Sequence, residues 1–195
     1  MRTITTEVYK FEELDEETQE RVIENNRDIN VDYQWWDFIY DDVKKIGKIL
    51  GINIKNIYFS RFYSQGDGAC FEGSYSYAKE SVKKIKEYAP LDEELHKIAK
   101  DLYLLQKNHF YRLSANVEHS GHYYHEFCTN ITVYDDDYYD ISDDTIEGMK
   151  EILRSFMQWI YSILEKECNY LTSDEAIKET IIANEYEFTE EGEIV

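Results

Sequence analysis

The densest set of chemically capable side chains lies in residues 119–128, which read His119-Ser120-Gly121-His122-Tyr123-Tyr124-His125-Glu126-Phe127-Cys128. Three of the chain's five His and one of its three Cys fall there. Imidazole nitrogens and a thiolate are good zinc ligands. The spacing matches no zinc-finger pattern. Alternation along a hairpin also sends His125 to the core face and Cys128 to the opposite one. Only His119 and His122, at the tip, remain as metal candidates. The expectation is a hydrogen-bonded hairpin tip that holds no metal and no other cofactor.

A second segment is Gln65-Gly66-Asp67-Gly68-Ala69-Cys70-Phe71-Glu72-Gly73. Glycine-rich loops cradle phosphates, but no helix start follows and no Lys sits in this one. Asp67 and Glu72 would repel an anion. Together they could hold Ca²⁺ or work as an acid–base pair, yet the turn is not an EF-hand loop. Cys70 as a nucleophile needs a base that the sequence does not place beside it. A structural hairpin turn is the expectation.

The remaining candidates are contact residues. Trp35 falls on an apolar helical stripe and reads as core. Trp36, with Asp37, Tyr40 and Asp41, reads either as part of a wide buried helix face or as a half-exposed aromatic group flanked by acid, the composition of an interface anchor. Three acidic runs, at residues 12–20, 135–144 and 185–193, supply further carboxylates. Asp135, Asp136, Asp137 and Asp140 in the second run, and Asp67 in the glycine loop, complete the partner-binding candidates. Ordered carboxylates can imitate duplex phosphates and occupy a basic groove. The plain alternative is a solvated acidic face.

Positioning these groups takes a folded chain of 195 residues, long enough for one domain. Hydrophobic residues are 43%, with 18 Tyr, 9 Phe and 3 Trp, which argues against disorder. There are 41 acidic and 21 basic residues, a formal net charge of −20. Such a surface repels nucleic acid, whose binding needs phosphate neutralisation, and steers the chain toward basic proteins. The start, residues 1–11, is polar rather than an apolar signal core. No apolar run reaches the roughly 18 residues of a membrane span. Three scattered Cys suggest a reducing compartment, so a cytoplasmic location is expected.

Periodicity predicts the elements. Residues 3–9 read as extended, and 15–27 as a capped acidic helix. Residues 31–50 carry Trp35, Ile39, Val43, Ile46 and Leu50 at helical spacing, closed by Gly51. Residues 56–64 and 70–77 read as a hairpin, 80–88 as a Lys-rich helix, and 92–108 as a helix capped by Asp92. Residues 110–134 read as a second hairpin with His119 paired to Tyr123. That register puts Leu113, Ala115, Val117, Phe127, Ile131 and Val133 on one face. A long helix opens at 142–144, with Ile146, Met149, Leu153, Phe156, Ile160 and Leu164 on one stripe. A short one starts at Ser173. The tail from about residue 184 reads as acidic and β-prone, and is a candidate for mobility. The expected architecture is a single α+β domain over 1–195, a mostly antiparallel sheet of two hairpins packed by helices.

Several strings resemble a family of acidic phage and prophage proteins. They are Asn56-Ile57-Tyr58-Phe59-Ser60, residues 64–73, His109-Phe110-Tyr111-Arg112-Leu113, Gly121-His122-Tyr123-Tyr124-His125, Tyr170-Leu171-Thr172-Ser173-Asp174-Glu175-Ala176 and residues 183–190. Some members carry the label of antitoxin in a toxin–antitoxin stability system. The resemblance implies a small accessory protein of a mobile element, in the host cytoplasm, and transfers no catalytic residue. Small acidic phage accessory proteins are often inhibitors of anti-CRISPR or anti-restriction type, an analogy at the level of class. The expected function is therefore a non-enzymatic inhibitor of a host defence nuclease or other nucleic-acid-binding effector. Its partner would be a protein with a basic surface, with no direct nucleic-acid or membrane contact. An antitoxin of a cognate toxin and a metal-dependent enzyme using residues 119–128 are the alternatives.

Overall fold

Asp15, Asp92 and Ser173 each close the start of a helix by accepting a backbone N–H three residues on, from Thr18, Leu95 and Ala176. These caps fix three boundaries of the computed structural model, which describes Arg2 and residues 7–137 and 139–195. Most of the extended segment expected at 3–9, and Tyr138 in the acidic run, lie outside the described residues. The elements in order are β1 (Tyr9–Lys10), α1 (Glu16–Asn25), α2 (Asp37–Leu50), β2 (Ile52–Phe59), β3 (Ala69–Ser76) and α3 (Ser81–Tyr88). Then come α4 (Glu93–Asn108), β4 (Leu113–His119), β5 (Thr129–Asp135), α5 (Asp143–Leu171), α6 (Asp174–Ala183) and β6 (Glu187–Phe188). The fold is α+β, and its chain divides into two compact units.

One unit comprises residues 1–36 and 166–195. Its core is Phe11, Leu14, Val22, Ile177, Ile181 and Phe188, drawn from both ends of the chain. β1 pairs antiparallel with β6, setting Tyr9 opposite Phe188. The segment read as an acidic tail thus carries a paired strand and the fully buried Phe188. Asn30 joins the last turn of α5 to α6 by donating to the Leu171 carbonyl at 3.0 Å and accepting from Thr180 Oγ1 at 2.8 Å.

Residues 37–165 form the other unit, built on a four-stranded antiparallel sheet in the order β2-β3-β4-β5. Both hairpins therefore share one sheet. Ile52, Ile57, Phe71, Tyr75, Leu113, Ala115, Val117 and Ile131 are buried on its core face. Helix residues meet that face: Phe156 of α5 packs edge-on against Phe71, and Gln106 of α4 bonds to Tyr75 and Leu113. The opposite face carries Asn53, Asn56, Tyr58, Cys70, Glu72, Ser74, Ser76, Ser114, Asn116, Glu118, Asn130, Thr132 and Tyr134. Cys70 alone among these is buried, and Glu72 and Glu118 are the charged ones.

Four expectations need correction. The helix expected over 31–50 starts at Asp37, so Trp35 and Trp36 precede it. Trp35 is buried as expected, and its ring meets Trp36 edge-on at 5.7 Å. The run from Val31 to Trp36 is β-branched and aromatic, a poor helix former, and packing of Trp35 decides its path. The strand expected over 56–64 starts at Ile52, directly after Gly51. That glycine has φ +89°, and a Cβ there would lie 2.0 Å from the Ser76 carbonyl oxygen. A bulge between Ile54 and Asn56 then breaks the alternation.

The second hairpin pairs His119 with Thr129, not Tyr123, leaving a nine-residue loop at 120–128. Both pairings join residues of the same parity, so Leu113, Ala115, Val117, Ile131 and Val133 keep the expected face. Phe127 does not, since it lies in the loop and is 65% exposed. Finally, Asp135, expected as a partner-binding carboxylate, belongs to β5 and is buried. No helix among the described residues is long and apolar enough to cross a membrane.

Candidate functional site

The sheet has two ends with different chemistry. Loops 60–68 and 120–128 meet at one end. A Cβ on Gly68 would sit 2.6 Å from His125 Cα and Cβ, so only glycine allows that approach. The His and Cys expected to separate come together here: His125 Nε2 lies 3.2 Å from Cys128 Sγ. The loop does not alternate as a hairpin strand would, which is why the face argument fails. The pair is not set up as nucleophile and base. His125 Nδ1 accepts the Phe127 N–H at 3.2 Å, so the neutral ring carries its proton on Nε2, facing the sulfur. A general base needs its lone pair there instead.

His119 Nε2 meets the Tyr123 carbonyl at 2.9 Å and its ring packs on Tyr58 and Tyr124. His122 is exposed. No group of three or more His, Cys, Asp or Glu that could hold a metal occurs among the described residues. Glu72 accepts from Asn56 Nδ2 and Tyr58 Oη, both at 2.9 Å, and these bonds hold its carboxyl below the usual range. Asp67 accepts the Ser64 N–H at 2.7 Å and closes its own turn. Burial pushes the Cys70 thiol up to about 12, which keeps it protonated and inert as a nucleophile near neutral pH.

The other end gathers the acidic run. α4 stops at Asn108, and Phe110 and Tyr111 then take φ +55° and +64° in succession. Two aromatic residues in the left-handed region are costly and persist only where the surroundings over-determine them. Here the Tyr111 N–H donates to the Gln106 carbonyl at 2.7 Å, and the Tyr111 ring packs 4.5 Å from that of Tyr77. The Tyr111 hydroxyl is held above its ordinary value by a hydrogen bond with Tyr103. The turn turns Phe110 outward, 76% exposed.

Arg112 follows and is gripped between rings. Its Cζ lies 5.3 Å from the Phe110 centroid and 4.8 Å from that of Tyr139. Its Nη1 donates to Asp137 Oδ2 at 2.9 Å, and its Nε lies 3.7 Å from Asp135 Oδ2. Asp135 is thus an internal counter-charge, and its Oδ1 accepts the Asp137 N–H at 2.9 Å. Asp136 accepts from Ser114 Oγ at 3.0 Å. Asp136, Asp140, Asp143 and Asp144 are exposed, and among the described residues none has a cation at ion-pair distance. His109 Nε2 meets Thr145 Oγ1 at 3.1 Å and ties the end of α4 to the start of α5.

The candidate contact residues therefore fall into groups. Asp136, Asp137 and Asp140 lie together at this end, with Asp135 buried beneath them. Asp37, Tyr40 and Asp41 lie on the first turns of α2, where Tyr40 is half-buried against Phe59 at 6.3 Å. Asp67 is in loop 60–68, at the opposite end of the sheet. Trp36 is half-buried before α2. Phe110, Arg112 and Tyr139 join the acidic group, and the sequence pattern does not mark them as contact residues. Their exposure depends on the left-handed turn, which non-glycine residues do not announce.

No curated protein and no solved structure matches the chain. Residues 35–174 match the model of a family described as a domain of unknown function (DUF8835). That span covers well over half of the sequence, and the chain belongs to that family.

Proposed function

We propose that this chain is a non-enzymatic, acidic binding protein that inhibits a nucleic-acid-binding protein by occupying its basic surface. One observation carries the reading. Exposed Phe110 and Tyr139 flank Arg112, which Asp137 and Asp135 already neutralise, and the segment that follows β5 carries the exposed Asp136, Asp140, Asp143 and Asp144. Aromatic anchors give an interface its affinity, and uncompensated carboxylates give it attraction to cations. The net charge of −20 supports the same choice of partner through long-range steering. The resemblance to phage and prophage proteins is the ground for seeking the target among host nucleases and their effector complexes.

The test is a pull-down from nuclease-treated host lysate at low and high salt. It uses the wild type, Phe110→Ala and Asp136→Lys/Asp140→Lys. The reading expects a nucleic-acid-binding protein retained at low salt, released at high salt, and held at least about tenfold less well by both variants. A retained partner that ignores both salt and these substitutions overturns it. Retention of a small neighbouring-gene product replaces the inhibitor reading by the antitoxin one.

A further inference from the structure

The two edges of the four-stranded sheet are not treated alike. β2 is guarded. A bulge between Ile54 and Asn56 interrupts its ladder, and Lys55 sits at the bulge. Bulges and lysines are the devices that keep edge strands from pairing with other chains. β5, the other edge, has neither. Its sequence, Thr-Asn-Ile-Thr-Val-Tyr-Asp, has no Pro and no Lys, and its seven pairs with β4 run without a register shift. Thr, Ile, Val and Tyr are strong strand formers.

The direction of the backbone groups follows from the bonds that flank the ladder. Ser120 N–H donates to the Cys128 carbonyl at 2.8 Å, and Asp136 N–H to the Arg112 carbonyl at 3.0 Å. Even-numbered residues therefore bond β5 to β4. Odd-numbered residues, namely Thr129, Ile131, Val133 and Asp135, turn their N–H and C=O groups away from β4. Neither Ile131 nor Val133 bonds to any other described residue through those groups. Backbone donors and acceptors left open along a strand edge are a template for another strand.

We infer that the free edge of β5 pairs antiparallel with β5 of a second copy of this chain, about a two-fold axis at Thr132. In that register Ile131 bonds to the second copy's Val133 and Thr129 to its Asp135. Thr132 faces Thr132, and Asn130 faces Tyr134. A Thr–Thr pair is favourable across strands. No carboxylate in the seven-residue strand stands opposite another, because Asp135 meets Thr129. The neutral side chains of Asn130, Thr132 and Tyr134 are what let two chains of charge −20 approach. Two four-stranded sheets then become one of eight strands. Residual repulsion between the copies makes salt favour the pairing, the opposite of its effect on a basic partner.

Sedimentation of the full chain tests this, from about 1 to 100 µM protein at about 0.05 and 0.5 M salt. The wild type is expected to form a dimer that dissociates on dilution and strengthens with salt. Val133→Pro removes one outward N–H per copy and leaves the β4 ladder intact. It should weaken the dimer by about thirtyfold with unchanged circular dichroism. Should that variant misfold, Thr132→Lys, at an exposed position, sets two ammonium groups face to face and should also give monomers. Thr132→Cys should crosslink to its own copy under mild oxidation, since facing residues of that type have Cα atoms about 4.5 Å apart. A wild type that stays monomeric throughout overturns the inference. So does a dimer that neither Val133→Pro nor Thr132→Lys weakens.

Discussion

Gln106 holds Leu113 by both of its backbone groups. Its Nε2 donates to the Leu113 carbonyl at 2.6 Å, and its Oε1 accepts the Leu113 N–H at 3.2 Å. Gln106 has no exposed surface and Leu113 is 1% exposed. One amide thus ends α4, starts β4 and closes the loop that carries Phe110 to Arg112.

Replacing Gln106 by Leu keeps the volume but strands the N–H and carbonyl of Leu113 in the core. Each stranded group costs about 1–3 kcal/mol. Gln106→Leu should lose roughly 2–5 kcal/mol in urea unfolding. Gln106→Glu, which keeps an acceptor, should lose less of the Leu113 N–H bond than of the carbonyl bond. A Gln106→Leu protein as stable as the wild type would remove the clamp from the account.

Phe110 separates stability from binding. Its φ of +55° suits glycine better than any side chain, and the ring is exposed. Phe110→Gly should therefore keep or raise stability, by up to about 1 kcal/mol, while weakening partner capture. Thermal melting and the pull-down, done on the same preparation, should move in opposite directions. Loss of both together would mean that the ring is structural.

Alkaline pH should unfold the chain early. Burial pushes the Cys70 thiol up from 9.0 to about 12 and the Tyr75 hydroxyl up from 10.0 to about 12. In the unfolded chain both groups ionise from near their ordinary values. The folded chain then holds more protons, so stability falls as pH rises. The contribution is complete below pH 9 for Cys70 and below 10 for Tyr75, and it is lost by about 12. Each group adds a slope of up to about 1.4 kcal/mol per pH unit in that window. Cys70→Ala should flatten the decline between pH 9 and 12 in denaturant titrations.

Much of this fold is written in local patterns. The stripe from Met149 to Leu164 on α5, the caps at Asp15, Asp92 and Ser173, and the stop at Gly51 each arise within a few residues. The faces of the β4–β5 hairpin were legible even though its turn was not. Alternation depends on parity, and loop length does not alter parity. The acidic end was legible only in part. Asp136, Asp137 and Asp140 show as charge, but the burial of Asp135 depends on Arg112, more than twenty residues earlier. The outward turn of Phe110 depends on a left-handed backbone that Gln106 enforces from the preceding helix. The approach of His125 to Cys128 is not legible for the opposite reason: strand alternation separates the two, whereas residues 120–128 form a loop.

The face of the sheet opposite its core gives the charge of this protein a direction. Its paired strand residues include only Glu72 and Glu118 as ionised groups, and both are engaged by neighbouring amides, with Tyr58 also bonding Glu72. A pI near 4.5 describes the chain as a whole, yet no such excess of carboxylate exists on that face. Within the unit of residues 37–165 the attraction for cations thus belongs to the helices and loops, and the Asn-, Ser- and Thr-lined face has little share in it.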